Sequence, residues 1–133
     1  MSYLRFEITQ TQTLRTLETI WGSSSSDVWT AGAEGVVRHW TNDPLKAWTY
    51  VAPFTTVDLH ALRGSGASDV WVVGDDAAVF HFDGSAWQPA KLALPAGLRP
   101  NLYAVWAVAP DDVWAVGNGI ILRSRSKVLR GTQ

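Results

Sequence analysis

The ten residues Ile20-Trp21-Gly22-Ser23-Ser24-Ser25-Ser26-Asp27-Val28-Trp29 return as the stretch from Leu62 to Trp71 and again as the stretch from Val105 to Trp114. Four sets of landmarks keep step with them: Leu17, Leu59 and Leu102; Asp27, Asp69 and Asp112; Trp29, Trp71 and Trp114; Gly32, Gly74 and Gly117. Every set steps by 42 and then 43 residues, without slippage. A fixed period of this length, filled with short β-patterned runs between turn residues, describes one four-stranded antiparallel sheet per repeat, the blade of a β-propeller. The expected fold class is all-β, with three blades in the chain.

Working outward from the landmarks, blade 1 spans 16–55 with strands expected at 17–22, 27–32, 35–40 and 47–52, and Pro53 ends the last of them. Blade 2 spans 56–98, with strands at 59–64, 69–74, 77–83 and 86–92; Pro89 marks the fourth as an outer, edge-type strand. Blade 3 spans 99–133, with strands at 102–107, 112–117 and 119–125. Its fourth strand is reduced to Lys127-Val128-Leu129-Arg130, so its outer edge reads as incomplete. Ahead of the repeats, within residues 1–15, Leu4-Arg5-Phe6-Glu7-Ile8-Thr9-Gln10 alternates apolar and polar. It reads as one half-exposed strand with no partner in the first repeat, free to close a blade. The whole is one structural domain.

The second-strand runs Val28-Trp29-Thr30-Ala31, Val70-Trp71-Val72-Val73 and Val113-Trp114-Ala115-Val116 are apolar on both faces. A sheet with one wet face would alternate, so each blade is expected to be sandwiched between neighbours. Propellers close with about four to eight blades, and three sheets alone leave two apolar faces in water. Faces of that kind are normally interfaces. A homodimer completing a six-bladed ring is the leading expectation, ahead of a nine-bladed trimer or an open fragment.

Composition narrows the partners. The 133 residues are 47% hydrophobic and 17% charged, an ordinary globular balance. A net charge of -1 supplies no field that would draw in nucleic acid or an anionic membrane, so neither partner is expected. Without Cys there is neither a disulfide framework nor thiolate chemistry, which leaves the compartment open. No apolar run has the length of a signal-peptide core or of a span of about 20 residues, so the chain reads as soluble and untargeted.

The repeated residues mostly explain packing. Asp27, Asp69 and Asp112 close the loop before a Val-Trp pair, where a short carboxylate can accept backbone N–H bonds. Acid/base catalysis would need carboxylates within about 5 to 10 Å of one another, whereas one copy per blade spreads them around a ring. Gly32, Gly74 and Gly117 sit where the chain turns, so positive φ is the expected reason for glycine. His39 and His81 are equivalent, with Arg123 third; a metal would need convergent ligands, and no metal or cofactor is expected. His60, in line with Glu18 and Tyr103, carries no assigned role. Trp21, Arg63 and Trp106 end equivalent first strands and are the ligand-binding candidates, a stacking platform for a glycan or a peptide side chain; blade-to-blade packing is the competing reading. Trp40 and Trp48, with Phe82 and Trp87 as counterparts, form a second aromatic layer. Arg123, Arg125 and Lys127 alternate on the last strand with no acidic residue near them in sequence, as expected of an edge protected against pairing.

The stretch from Ile20 to Trp29, with Val72-Val73-Gly74-Asp75 and His81-Phe82-Asp83-Gly84-Ser85-Ala86-Trp87, resembles bacterial propeller repeats carrying V-W-G, D-V-W-A-V-G and D-G-x-x-W elements, over roughly residues 16 to 125. Asp83-Gly84-Ser85-Ala86-Trp87 is similar to the Asp-box turn of neuraminidase-type repeats. Blade 1 replaces it with Thr41-Asn42-Asp43-Pro44 and a three-residue insertion before Trp48, and blade 3 lacks it. The resemblance implies a β-propeller of lectin, assembly-factor or glycosidase kind. A glycosidase would need an Arg cluster, a carboxylate pair and a Tyr or Glu nucleophile, and Tyr3, Tyr50 and Tyr103 are not equivalent. The expected function is a non-enzymatic binding or assembly module for a glycan or protein ligand. The alternative is a fragment of a larger propeller, such as a glycosidase- or sialidase-like enzyme.

Overall fold

The structure, a computed structural model, describes residues 4–45 and 47–124. Its strands form three antiparallel meanders in chain order. Blade 1 holds β1 (Leu17–Ser24), β2 (Asp27–Gly32), β3 (Val37–Trp40) and β4 (Thr49–Tyr50). Blade 2 holds β5 (Leu59–Gly66), β6 (Asp69–Gly74), β7 (Val79–Phe82) and β8 (Trp87–Pro89). Blade 3 holds β9 (Leu102–Ala109), β10 (Asp112–Gly117) and β11 (Ile120–Arg123). The fourth strand expected at 127–130, with Arg125 and Lys127, lies outside the described residues. The registers repeat: Trp21 faces Trp29, Arg63 faces Trp71 and Trp106 faces Trp114.

First strands run two residues beyond the expected ends, to Ser24, Gly66 and Ala109, leaving tight two-residue turns before Asp27, Asp69 and Asp112. Fourth strands are shorter than expected, and Pro89 sits at the end of β8 on the blade's outer edge, where its missing N–H interrupts no ladder.

The N-terminal segment departs from expectation. Residues 4–9 join no ladder, and the segment's one bridge is parallel, between Gln10 and Ala47. The partner is therefore in blade 1, which the alternation by itself did not indicate. Trp48 donates its backbone N–H to the Gln10 carbonyl at 2.8 Å and its indole N–H to Thr9 Oγ1 at 2.8 Å. Buried Arg38 then fastens the following residues, Nε donating to the Thr11 carbonyl at 3.0 Å and Nη2 to that of Gln12 at 2.9 Å. An extended segment forms a ladder only where a free strand edge is within its reach, and among the described residues the segment 4–9 pairs with none.

First strands lie side by side, β1 against β5 and β5 against β9, while later strands fan outward. Each blade thus has a forward face toward the next blade and a backward face toward the preceding one. The forward face of blade 1 (Trp21, Trp29, Ala31, Val37) packs on the backward face of blade 2 (Leu62, Val70, Val72, Phe80), with Phe54 and Trp87 filling in. Blade 2 repeats the arrangement with Trp71, Val73 and Val79 against Val105, Val113, Ala115 and Leu122 of blade 3. Alternate side chains serve opposite junctions, which is why the second strands are apolar on both sides.

One expectation needs correcting, and one repeated position varies along the stack. Gly32 has φ -178, and Gly74 and Gly117 are likewise absent from the positive-φ set. Glycine is required there by close approach: a Cβ would meet a backbone carbonyl oxygen at 2.0 Å (Thr16), 2.1 Å (Asp58) and 1.9 Å (Asn101) respectively. The three repeated Trp are also not equally buried. Trp29 is 3% exposed, while Trp71 and Trp114 are half-buried. Trp29 is covered by Phe82 and Trp87 of blade 2. Trp71 and Ser124 line an open groove at the place where Trp29 packs on Phe82, and no blade follows Trp114 among the described residues.

Candidate functional site

Each blade carries the same internal clamp at the start of its second strand. In blade 1, Asp27 accepts from Ser23 Oγ and from His39 Nε2, the latter at 2.6 Å. In blade 2, Asp69 accepts from Ser65 Oγ at 2.5 Å, His81 Nε2 at 2.7 Å and the Trp71 indole N–H at 3.0 Å. In blade 3, Arg123 donates to Asp112 at 3.3 Å, so the basic edge residue has an acidic partner after all. The basic side chain then lies on the Trp: His39 at 3.7 Å from Trp29, His81 at 4.2 Å from Trp71, Arg123 at 4.5 Å from Trp114. Ser, Asp and His are the residue types of a hydrolase triad, but here the carboxylate is central and takes both hydrogen bonds. The hydroxyl and the imidazole bond to different oxygens of the same carboxylate, whereas a triad sets the imidazole between the two. His39 and His81 each belong to their own clamp, and among the described residues no group of three or more acidic or His side chains is set to hold a metal ion.

Between blades the contacts are also repeated. The loop after each second strand donates an N–H to the residue ahead of the next first strand: Glu34 to Asp58 Oδ1 at 2.9 Å, and Asp76 to Asn101 Oδ1 at 2.9 Å. Thr19 Oγ1 accepts the Leu62 N–H at 3.1 Å. His60 joins blades 1 and 2, with Nδ1 donating to Glu18 at 2.9 Å and Nε2 to Asp75 at 2.7 Å, and its ring lies 4.9 Å from that of Tyr103 in blade 3. Burial pulls its pKa down, but the hydrogen bonds and charges of Glu18 and Asp75 outweigh this and hold it above the usual 6.5. Sequence alone assigns His60 no role. The available signal was that Glu18, His60 and Tyr103 are equivalent: on crowded first strands equivalent positions become neighbours, whereas on third strands each His finds its partner in its own blade.

The three ligand candidates divide. Trp21 lies across the junction on Gly64, where a Cβ would meet its ring at 2.7 Å. Arg63 and Trp106 are exposed, so the three do not present one uniform platform.

The ends of the stack are where repeated positions change environment. On the forward face of blade 3, Trp106 is 55% exposed and Ile121 68%, although the latter's counterpart Val37 is fully buried. On the backward face of blade 1, Ile20 is 66% exposed, whereas its counterpart Leu62 is 4%. At Gly22, the counterpart of Gly64, the nearest atoms to a Cβ belong to Asp27 and Val28 of its own blade, and among the described residues no blade precedes it. Trp106 and Gly22 are thus the two separated halves of the Trp21–Gly64 contact. No helix among the described residues is long and apolar enough to cross a membrane.

No protein-family model and no curated protein sequence matches the chain. Among solved structures it is similar to YCF48 bound to D1 peptide, a β-propeller protein, at a TM-score of 0.77 and 18% sequence identity. The likeness covers 94% of this chain and 41% of that one, so this chain spans well under half of its neighbour's length. At that identity the likeness is one of fold.

Proposed function

We propose that the chain is a non-enzymatic propeller module that works by binding and assembly, two copies pairing their open blade faces into a six-bladed ring. The observation that carries the reading is the pair of half-junctions. The forward face of blade 3 bears Trp106, Val116 and Ile121 in the open, and the backward face of blade 1 bears Ile20 and the uncovered Gly22. Joining them repeats the Trp21–Gly64 contact and removes both faces from water, and a two-fold axis leaves no free end. Size exclusion with light scattering tests it: a mass of twice 14.6 kDa is expected, and a monomer that stays soluble and unassociated at high concentration refutes it.

A protein segment is the ligand class favoured, because a protein of the same fold has been seen with a peptide. Exposed Arg63 is the residue assigned to it, with Trp106 sharing the role where it is not covered by assembly. The glycan reading uses the same residues. Titration of peptide and glycan pools against intrinsic Trp fluorescence separates the two, and a response unchanged in Arg63→Ala would remove that residue from the site.

A further inference from the structure

An apolar arm and an apolar groove are both without an occupant among the described residues. In the arm, Leu4, Phe6 and Ile8 alternate with polar residues, and Phe6 is 95% exposed. The groove, about 420 Å³, lies between blades 2 and 3 and is lined by Trp71, Val79, Leu122 and Ser124 among others. The preceding junction shows what such a groove takes. There Trp87, the first residue of the fourth strand, packs on Trp29 at 5.3 Å, on Phe82 at 5.4 Å and on Phe54 at 5.2 Å. At the junction of blades 2 and 3, Trp71 replaces Trp29 and Ser124 replaces Phe82.

The arm has the spacing of the fourth-strand segment of blade 1. Phe6 precedes Leu17 by the same 11 residues that separate Trp48 from Leu59. Gln12 stands where Phe54 stands one repeat later, and both lie on the third strand of the blade that follows: Gln12 through its carbonyl on Arg38, Phe54 through its ring on Phe80 at 4.7 Å. Residues 4–16 thus occupy the place of an interblade linker, with 6–8 where a preceding blade would have its outermost strand.

We infer that residues 4–8 of one copy form the fourth strand of blade 3 in a second copy, with Phe6 in the groove beside Trp71. The register follows from the two complete blades. In blade 1, Arg38 pairs with Tyr50 and His39 with Thr49; in blade 2, Phe80 pairs with Pro89, His81 with Gln88 and Phe82 with Trp87. Transferred to β11, whose Arg123 faces Trp114 as His39 faces Trp29, blade 1 sets Leu122 opposite Ile8 and Arg123 opposite Glu7, and blade 2, with Trp87 in the place of Phe6, repeats both pairs and adds Ser124 opposite Phe6. The pairs are apolar with apolar, cation with anion, and small with aromatic, as cross-strand neighbours prefer. A slip of one residue would turn Glu7 toward the groove and Phe6 toward water. Pairing also covers the edge of β11, which is open among the described residues. Within one chain, blade 2 stands between the arm's anchorage on blade 1 and β11, so the strand is donated between copies.

This inference rests on the ring reading, and the test separates the two. The chain has no Cys, so Glu7→Cys and Arg123→Cys chains can be mixed under mild oxidation and run on a non-reducing gel beside light scattering of the unmodified protein. A cross-linked band at twice 14.6 kDa is expected from the mixture, absent from either variant alone, and lost when Phe6→Asp is added to the arm. A doubled mass without the cross-link overturns arm exchange and leaves the ring reading standing. A monomeric mass overturns both. A Glu7→Cys/Arg123→Cys double variant that cross-links as a monomer overturns exchange in favour of the chain's own blade. If the band forms only after residues 125–133 are removed, those residues are the occupant and the inference fails.

Discussion

Replacing Trp29 by Ala probes the face-to-face stacking of blades most directly. Its ring is held between His39 of its own blade, 3.7 Å away, and Phe82 and Trp87 of the next, at 4.9 and 5.3 Å. Truncating a buried Trp forfeits both its transfer energy and the contacts of the cavity walls, about 3–5 kcal/mol. That is a large part of the roughly 5–15 kcal/mol by which a domain is stable. At roughly 3–4 °C per kcal/mol for a chain of this size, Tm should fall by on the order of 10–20 °C. Trp71→Ala should cost less, because the groove beside Trp71 already deprives the ring of neighbours on that side. Trp114→Ala should cost least in dilute protein, where its face is uncovered. Thermal unfolding followed by near-UV circular dichroism at matched low concentration gives the ranking, with Trp29→Phe as a milder substitution should the Ala variant fail to fold. A Trp29→Ala midpoint within about 2 °C of the parent, or a Trp114→Ala loss in dilute protein as large as that of Trp29→Ala, would refute the stacking.

Gly74→Ala should destabilise by about 1–3 kcal/mol, since a Cβ would sit 2.1 Å from the Asp58 carbonyl oxygen, whereas Gly66→Ala, with open space around it, should change urea midpoints little. The imidazolium of His60 ties blade 1 to blade 2, and its pKa is raised above 6.5 by Glu18 and Asp75 despite burial. Its stabilisation is therefore complete below that pH and is lost as pH rises through the raised value; His60→Gln should flatten the stability difference between about pH 6 and about pH 8, and an unchanged profile would remove the ion pairs from the account. Trp106→Glu should abolish the doubled mass in light scattering while leaving the dilute-protein Tm near that of the parent, and a dimer that survives it would move the junction elsewhere. Fluorogenic sialosides and glycosides should show no turnover by repurified protein; activity that copurifies through two columns would overturn the non-enzymatic reading.

The number of blades and the order of their strands were legible in the sequence, because the forces that set them act within one repeat. The Gly32, Gly74 and Gly117 positions each admit the neighbouring carbonyl oxygen, and the Asp27, Asp69 and Asp112 carboxylates each clamp a third strand, so the same residue types recur every 42 or 43 positions. Even there, the reason for the glycines was hidden: a turn and a close approach leave the same letter in the sequence. Only the tertiary structure decided which copy of a repeated residue is buried and which is open. Trp29 and Trp114 are equivalent by position, yet Trp29 meets Phe82 and Trp87 of a following blade and Trp114 meets none among the described residues. The same holds for His60, whose two carboxylates lie 42 residues before it and 15 after it, and for the segment 4–10, whose bridge is to Ala47. Burial and charge pairing between blades are fixed by which distant segments stack on one another, and that depends on a neighbouring blade being present, a condition that the letters of a single repeat do not encode.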